Sequence, residues 1–213
     1  MDENIRWQRM MLLEKAAAAL GKHGFRSVVF ASRDEALPFL LGEAATATTV
    51  GFGGSMTLAE LGLARQIEGL GKRTLVHGRA GLSAPERRAV MQEQLNCDLF
   101  FTSTNAVTLD GILVNIDATG NRVCAMTFGP PRVWVVAGSN KVSADLPAAL
   151  KRIKEVVAPP NARRLGFKTP CAVTGICSDC DSPERICRVT TIIERKPRAT
   201  EVGVCLINED LGY

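Results

Sequence analysis

The chain has 213 residues, 46% of them apolar and 23% charged, a composition that buries a core and is not that of a disordered segment. Its 26 Lys+Arg against 22 Asp+Glu leave a net charge of +4, scattered except at Arg163-Arg164 and Arg195-Lys196-Pro197-Arg198, so solvated faces account for it and no nucleic-acid partner is expected. No apolar run approaches the roughly 20 residues of a membrane span, and the acidic amino terminus lacks the basic region of a signal peptide, so the expected location is cytoplasmic.

In chain order, Leu12, Ala16 and Leu20, with Leu13 and Ala17 beside them, form one apolar stripe. This predicts a first helix over residues 4–22, terminated by Gly21 and Gly24. Residues 1–24 are set apart as an N-terminal helix and 25–213 as one α/β domain. Short β-branched or apolar runs then alternate with helical stretches: SVVFA before Arg33–Leu41, TTVGFG before Ser55–Ile67, RTLVHG before Ser83–Asn96, and finally DLFFTS. Such alternation predicts a mostly parallel sheet with helices on its faces. Ser83 and Glu86 have the spacing of a capping box.

Beyond Gly111 the rhythm changes. GILVNIDATGNRVCAM carries two strand-like runs around Ala118–Asn121, which predicts a small antiparallel excursion turning there. RVWVVAG (132–138) is a nearly continuous apolar run, as a central strand buried on both faces would be. A helix over Leu146–Val157 should end at Pro159-Pro160, and RVTTIIERKP and EVGVCLIN supply two last strands suited to pair with each other.

VGFGGSMTLAELGL (50–63) runs from a strand through Gly51, Gly53 and Gly54 into a helix beginning near Ser55. Free N–H groups at such a start can hold phosphate or carboxylate oxygens, while a tight turn alone explains the glycines equally well. The spacing is neither a Walker loop nor a dinucleotide fingerprint, so no nucleotide cofactor is expected. Thr102, Ser103, Thr104 and Asn105 directly follow a strand, the edge at which open parallel sheets bind ligands. Asp110 and Asn115 offer a carboxylate and an amide around Gly111, although Asp-Gly is also a turn dipeptide. Lys141 follows the buried strand by three residues, where a cation can meet an anionic ligand or simply be solvated.

In the expected compartment the seven cysteines are not a disulfide framework. Four of them, Cys171, Cys177, Cys180 and Cys187, have the spacing C-x5-C-x2-C-x6-C in a segment rich in Gly, Ser, Asp and Pro. Four thiolates suit tetrahedral zinc or an iron–sulfur cluster, and a redox pair at Cys177 and Cys180 or inert thiols are the alternatives. Cys97, Cys124 and Cys205 are most simply small hydrophobes.

Taken together, VGFGGSMTLAELGL, TSTNAVTLDGILVNIDATGNRVCAMTFGP, VAPPNARRL, TPCAVTGICSDCDSPERICRVTTIIERKP and NEDLGY resemble the lactate-utilization (LUD) domain family over most of residues 50–213. That family is similar to ribose-5-phosphate isomerases, glucosamine-6-phosphate deaminases, CoA transferases and formyltetrahydrofolate cyclo-ligases. The resemblance implies a Rossmann-like α/β fold with Gly53–Ser55, Thr102–Asn105, Asp110, Asn115 and Lys141 gathered at the strand ends. It matches Asp110 to the acid/base carboxylate of the isomerases, whose Gly-Ala-Asp run TSTNAVTLDG lacks. It also implies a component of lactate or related hydroxy-acid oxidation, associated with an iron–sulfur cluster or with iron–sulfur oxidoreductase subunits. The residues themselves equally support an enzyme acting alone on a small anionic substrate, or a zinc-stabilised scaffold, and the first helix could pack on its own domain or on a second copy.

Overall fold

The computed structural model describes residues 2–213. In chain order the elements are α1 (Glu3–Lys22), β1 (Arg26–Phe30), α2 (Arg33–Ala45), β2 (Thr49–Phe52), α3 (Met56–Glu60), α4 (Leu63–Gly69), β3 (Arg73–Val76), α5 (Ala84–Gln94) and β4 (Leu99–Thr102). There follow β5 (Ala106–Thr108), β6 (Leu113–Asp117), α6 (Asn121–Thr127), β7 (Arg132–Gly138), β8 (Val142–Ser143), α7 (Leu146–Arg152), α8 (Ala158–Arg164), α9 (Pro170–Thr174), β9 (Val189–Ile193) and β10 (Glu201–Ile207). Six strands form a wholly parallel sheet in the order β1-β10-β7-β4-β2-β3. The fold is α/β and Rossmann-like, as the alternating runs predict.

The period-2 geometry of strands explains the two apolar layers. In β7, Val133, Val135 and Ala137 face the side packed with Leu13, Ala16 and Leu20 of α1. Trp134 and Val136 face the other side, with Leu40 of α2 and Leu63 and Ile67 of α4. Helix α1 is therefore part of the main core. It starts at Asp2, whose carboxylate accepts from the Asn4 N–H at 2.9 Å, and stops before Gly24, which has φ +86°. The Ser83–Glu86 capping box opens α5: the Ser83 N–H donates to Glu86 Oε2 at 2.8 Å and the Glu86 N–H to Ser83 Oγ at 3.4 Å.

Four expectations need correction. The helix expected over Ser55–Ile67 is broken into α3 and α4 by Gly62 at φ +60°. The antiparallel turn lies at Asp110-Gly111, between β5 and β6, and not at Ala118–Asn121. Both segments have turn chemistry, but Gly111 (φ +86°) approaches α1 so closely that a Cβ there would lie 2.6 Å from the backbone of Ala19. Gly120 instead precedes α6, whose Val123 N–H donates to the Asp117 carboxylate at 3.2 Å.

Pro159-Pro160 does not end the helix, because Ile153–Val157 form a π-turn that admits the prolines in the first turn of α8, where their missing N–H groups have no role. The last two strands do not pair with each other. β9 pairs antiparallel with β6 in a second sheet ordered β8-β5-β6-β9, whereas β10, buried along nearly its whole length, enters between β1 and β7. The second sheet packs Ala106 and Val114 against Ala149, Ile153 and Val157, a small third core beside the carboxyl ends of the large sheet.

Candidate functional site

Because all six strands of the large sheet run the same way, the residues that follow them collect at one edge. Gly54 and Ser55 follow β2, His77 follows β3, Ser103–Asn105 follow β4, and Lys141 ends a short helical turn after β7. All of these line one cavity of about 350 Å³, within the range of about 300–1,000 Å³ typical of small-molecule sites. The second sheet, α6, α8 and the cysteine segment close the other side with Asp117, Arg122, Arg164 and Cys187. Arg87 also lines it, so three arginines and a lysine face a single carboxylate.

Lys141 is 5% exposed and donates to Ser103 Oγ at 3.1 Å and to the Thr104 carbonyl at 3.3 Å. Burial, reinforced by the nearby Arg152 and Arg122 charges, pulls its amine down to about 7. An anion entering the cavity would reverse that balance and hold the proton on.

Arg122 is the structural hub. Its guanidinium pairs with Asp117 at 2.7 Å and donates to the Ser103 carbonyl at 2.9 Å, to Asn115 Oδ1 at 2.6 Å and to Asn105 Oδ1 at 3.0 Å. One buried fork thus ties the end of β4 to β6 and fixes the cavity wall. Arg152 adds a bond to the Asn105 carbonyl at 2.7 Å.

Of the residues read from sequence, Gly54, Ser55, Ser103, Thr104, Asn105 and Lys141 line the cavity. Gly51 and Gly53 do not line it. A Cβ on Gly51 would lie 2.8 Å from Cys97 Sγ and from the Phe100 ring, and one on Gly53 would lie 2.8 Å from Thr102 Oγ1, so both serve close packing. Thr102 is buried with its hydroxyl on the Ser103 carbonyl. Asn115, fully buried behind Arg122, accepts from the Asn105 N–H, and its Nδ2 has no hydrogen-bond partner among the described residues.

Asp110 is exposed in the β5–β6 turn and is not among the cavity residues. Its Asp-Gly dipeptide is taken by the turn, where the Gly111 carbonyl meets His23 Nδ1 at 3.0 Å. The Ser55 hydroxyl accepts from the Leu58 N–H and so caps α3, whose five residues are too few for a strong dipole. His77, Arg87, Arg122 and Asp117 were missed by sequence reasoning. A histidine following a strand directly was the available signal for His77; Arg122 was hidden by the hairpin expected around it.

The cysteine segment folds against the same region. Cys171, Cys177, Cys180 and Cys187 line one small cavity of about 20 Å³, together with Lys154, Asp179 and Arg185. Arg185 holds the loop closed. Its guanidinium donates to the Cys180 carbonyl at 2.6 Å, the Cys187 carbonyl at 2.7 Å and Asp179 Oδ1 at 2.8 Å.

Burial pushes the Cys187 thiol up, Arg185 opposes that, and the other three thiols add to it. In kind and number the four suit a thiolate-bound metal. In position they do not: among the described residues no three Cys, His, Asp or Glu side chains are placed to hold one ion, and the cavity has room for about one water-sized body. Cys97 and Cys205 are separate, buried in the core and pushed up to about 11 and about 12 by that burial.

The LUD domain family matches residues 13–207. The chain belongs to the LUD domain family. Members of this family are linked to lactate utilization. The LUD chain is also similar to the crystal structure, at 1.70 Å resolution, of a DUF162 family protein from Deinococcus radiodurans, with a TM-score of 0.52 and 12% identity over 93% of this chain and 98% of that one. At that identity the likeness concerns the fold alone. No curated protein matches the LUD chain. Among its described residues no helix is long and apolar enough to cross a membrane.

Proposed function

We propose that this LUD protein supports the oxidation of lactate or a related hydroxy acid, holding a small hydroxy- or oxo-carboxylate in the strand-end cavity and working with iron–sulfur oxidoreductase subunits. The observation that carries this reading is the sharing of Cys187, with Ala158 and Ile186, between the anion-facing cavity and the thiol cavity. A cationic pocket and four thiols are thereby neighbours. Lys141 supplies a charge that an incoming carboxylate stabilises, while Arg122 holds the wall against which it sits.

As placed among the described residues, the four cysteines do not hold a metal, so the one-electron chemistry of this reading belongs to the partner subunits. Calorimetric titration of the protein with L-lactate and other 2-hydroxycarboxylates tests the pocket. Binding that Lys141→Met weakens about tenfold or more supports the reading, and no heat from any hydroxy- or oxo-carboxylate refutes it.

A second reading, an enzyme acting alone on a small anionic substrate, draws on the same buried amine at Lys141. Turnover by the isolated chain without a partner subunit separates it from the first.

A further inference from the structure

Gln94 is 1% exposed at the end of α5, and its amide nitrogen donates to two main-chain carbonyls, Phe52 at 2.9 Å and Leu75 at 2.8 Å. An amide nitrogen has two hydrogens. Both are therefore used, so the amide nitrogen, although 3.2 Å from His77 Nδ1, has no hydrogen left for it, and Gln94 Oε1, 3.3 Å from the same atom, is left to accept. It follows that Nδ1 of His77 carries the proton and that Nε2 presents a lone pair. Nε2 faces Gly54, where an added Cβ would come within 3.4 Å of it, and the imidazole lines the cavity with Ser55 and Lys141.

We propose that His77 is a specificity-determining residue of this site, selecting ligands that offer a hydroxyl donor to Nε2 over ligands that offer only a carbonyl. This rests on the carboxylate reading of the cavity and deepens it: the carboxylate belongs to the Lys141 side and the hydroxyl to the His77 side. A 2-hydroxy acid satisfies the lone pair, whereas the corresponding 2-oxo acid sets one acceptor against another. The site is thus matched to the reduced member of such a pair.

Burial keeps the imidazole neutral by holding it below the ordinary histidine range, and Gln94 opposes that shift. The charged groups facing it are Arg87 of α5, which lowers it further, and Asp117 at the end of β6, which raises it. Protonation of the ring at acid pH turns Nε2 into a donor and removes the preference.

Two measurements test this. Long-range proton–nitrogen NMR on histidine-labelled protein reads the His77 tautomer without any ligand: an Nδ1–H form is expected, and an Nε2–H form overturns the proposal. Calorimetry then compares lactate with pyruvate at pH 8 and pH 5. Lactate should bind about tenfold more tightly at pH 8 and lose that advantage at pH 5. In His77→Phe the discrimination should vanish at both pH values while carboxylate binding persists. Equal affinities in the wild type at pH 8, or discrimination unchanged in His77→Phe, overturn the role of His77 alone. Absence of binding by either acid overturns the carboxylate reading and this inference with it.

Discussion

The strand-end cavity and the cysteine segment adjoin each other but are built by opposite means. The cavity takes its residues from four successive strand ends, so the sheet positions them and Arg122 locks them with buried bonds. None of the residues lining the thiol cavity belongs to a strand. Its thiols are gathered by the half-buried Arg185 reaching two carbonyls and Asp179, with Lys154 on the same carboxylate at 3.1 Å. A site set by a sheet is rigid in the free protein, whereas a loop held by a partly exposed fork can rearrange when something binds.

The largest effect should come from breaking the cavity wall. Arg122→Leu leaves Asp117 buried without its partner and several acceptors orphaned, and should cost about 3–5 kcal/mol, read as a fall in the denaturation midpoint. Gly51→Ala comes next. Its Cβ would press on Cys97 and Phe100, so stability should drop by about 1–3 kcal/mol while carboxylate affinity of the folded protein is unchanged. A loss of affinity without loss of stability would return Gly51 to the ligand site.

The pH dependence of binding sharpens the contrast further. Below about pH 7 the Lys141 amine already carries its charge, and above that value an anion must bring a proton with it. Affinity should therefore hold level at acid pH and fall about tenfold per unit above pH 7, until the raised value in the complex is reached. Lys141→Met should flatten that slope. Smallest in stability, but confined to the other region, is Arg185→Ala. It should leave carboxylate binding and the melting temperature nearly unchanged while Cys177, Cys180 and Cys187 react faster with a thiol reagent.

Much of the scaffold was legible because local signals agreed with each other. The apolar run 132–138, the stripe through α1 and the Ser83–Glu86 box each need only their own residues to be read, and each is present. Ser103, Thr104, Asn105 and Lys141, expected at strand ends, line the cavity there. Reading failed where two segments had equal local claims.

Asp110-Gly111 and Ala118–Asn121 both favour turns, and only the close approach of Gly111 to α1 decides between them. The pairing of β9 and β10 failed for the same reason, since burial of β10 on both faces is a property of the whole sheet. His77 could be placed at a strand end from sequence, but the orientation of its ring depends on Gln94, seventeen positions away, whose amide is held by carbonyls of β2 and β3.

The central claim is that the two neighbouring regions form one functional unit, and the rate at which Cys187 reacts with a thiol reagent, measured with and without saturating L-lactate, tests it most directly, with wild type beside Lys141→Met. The account predicts that lactate slows labelling of Cys187 in the wild type and leaves it unchanged in Lys141→Met. Labelling of Cys187 that stays unchanged in the presence of a carboxylate the cavity binds would contradict it.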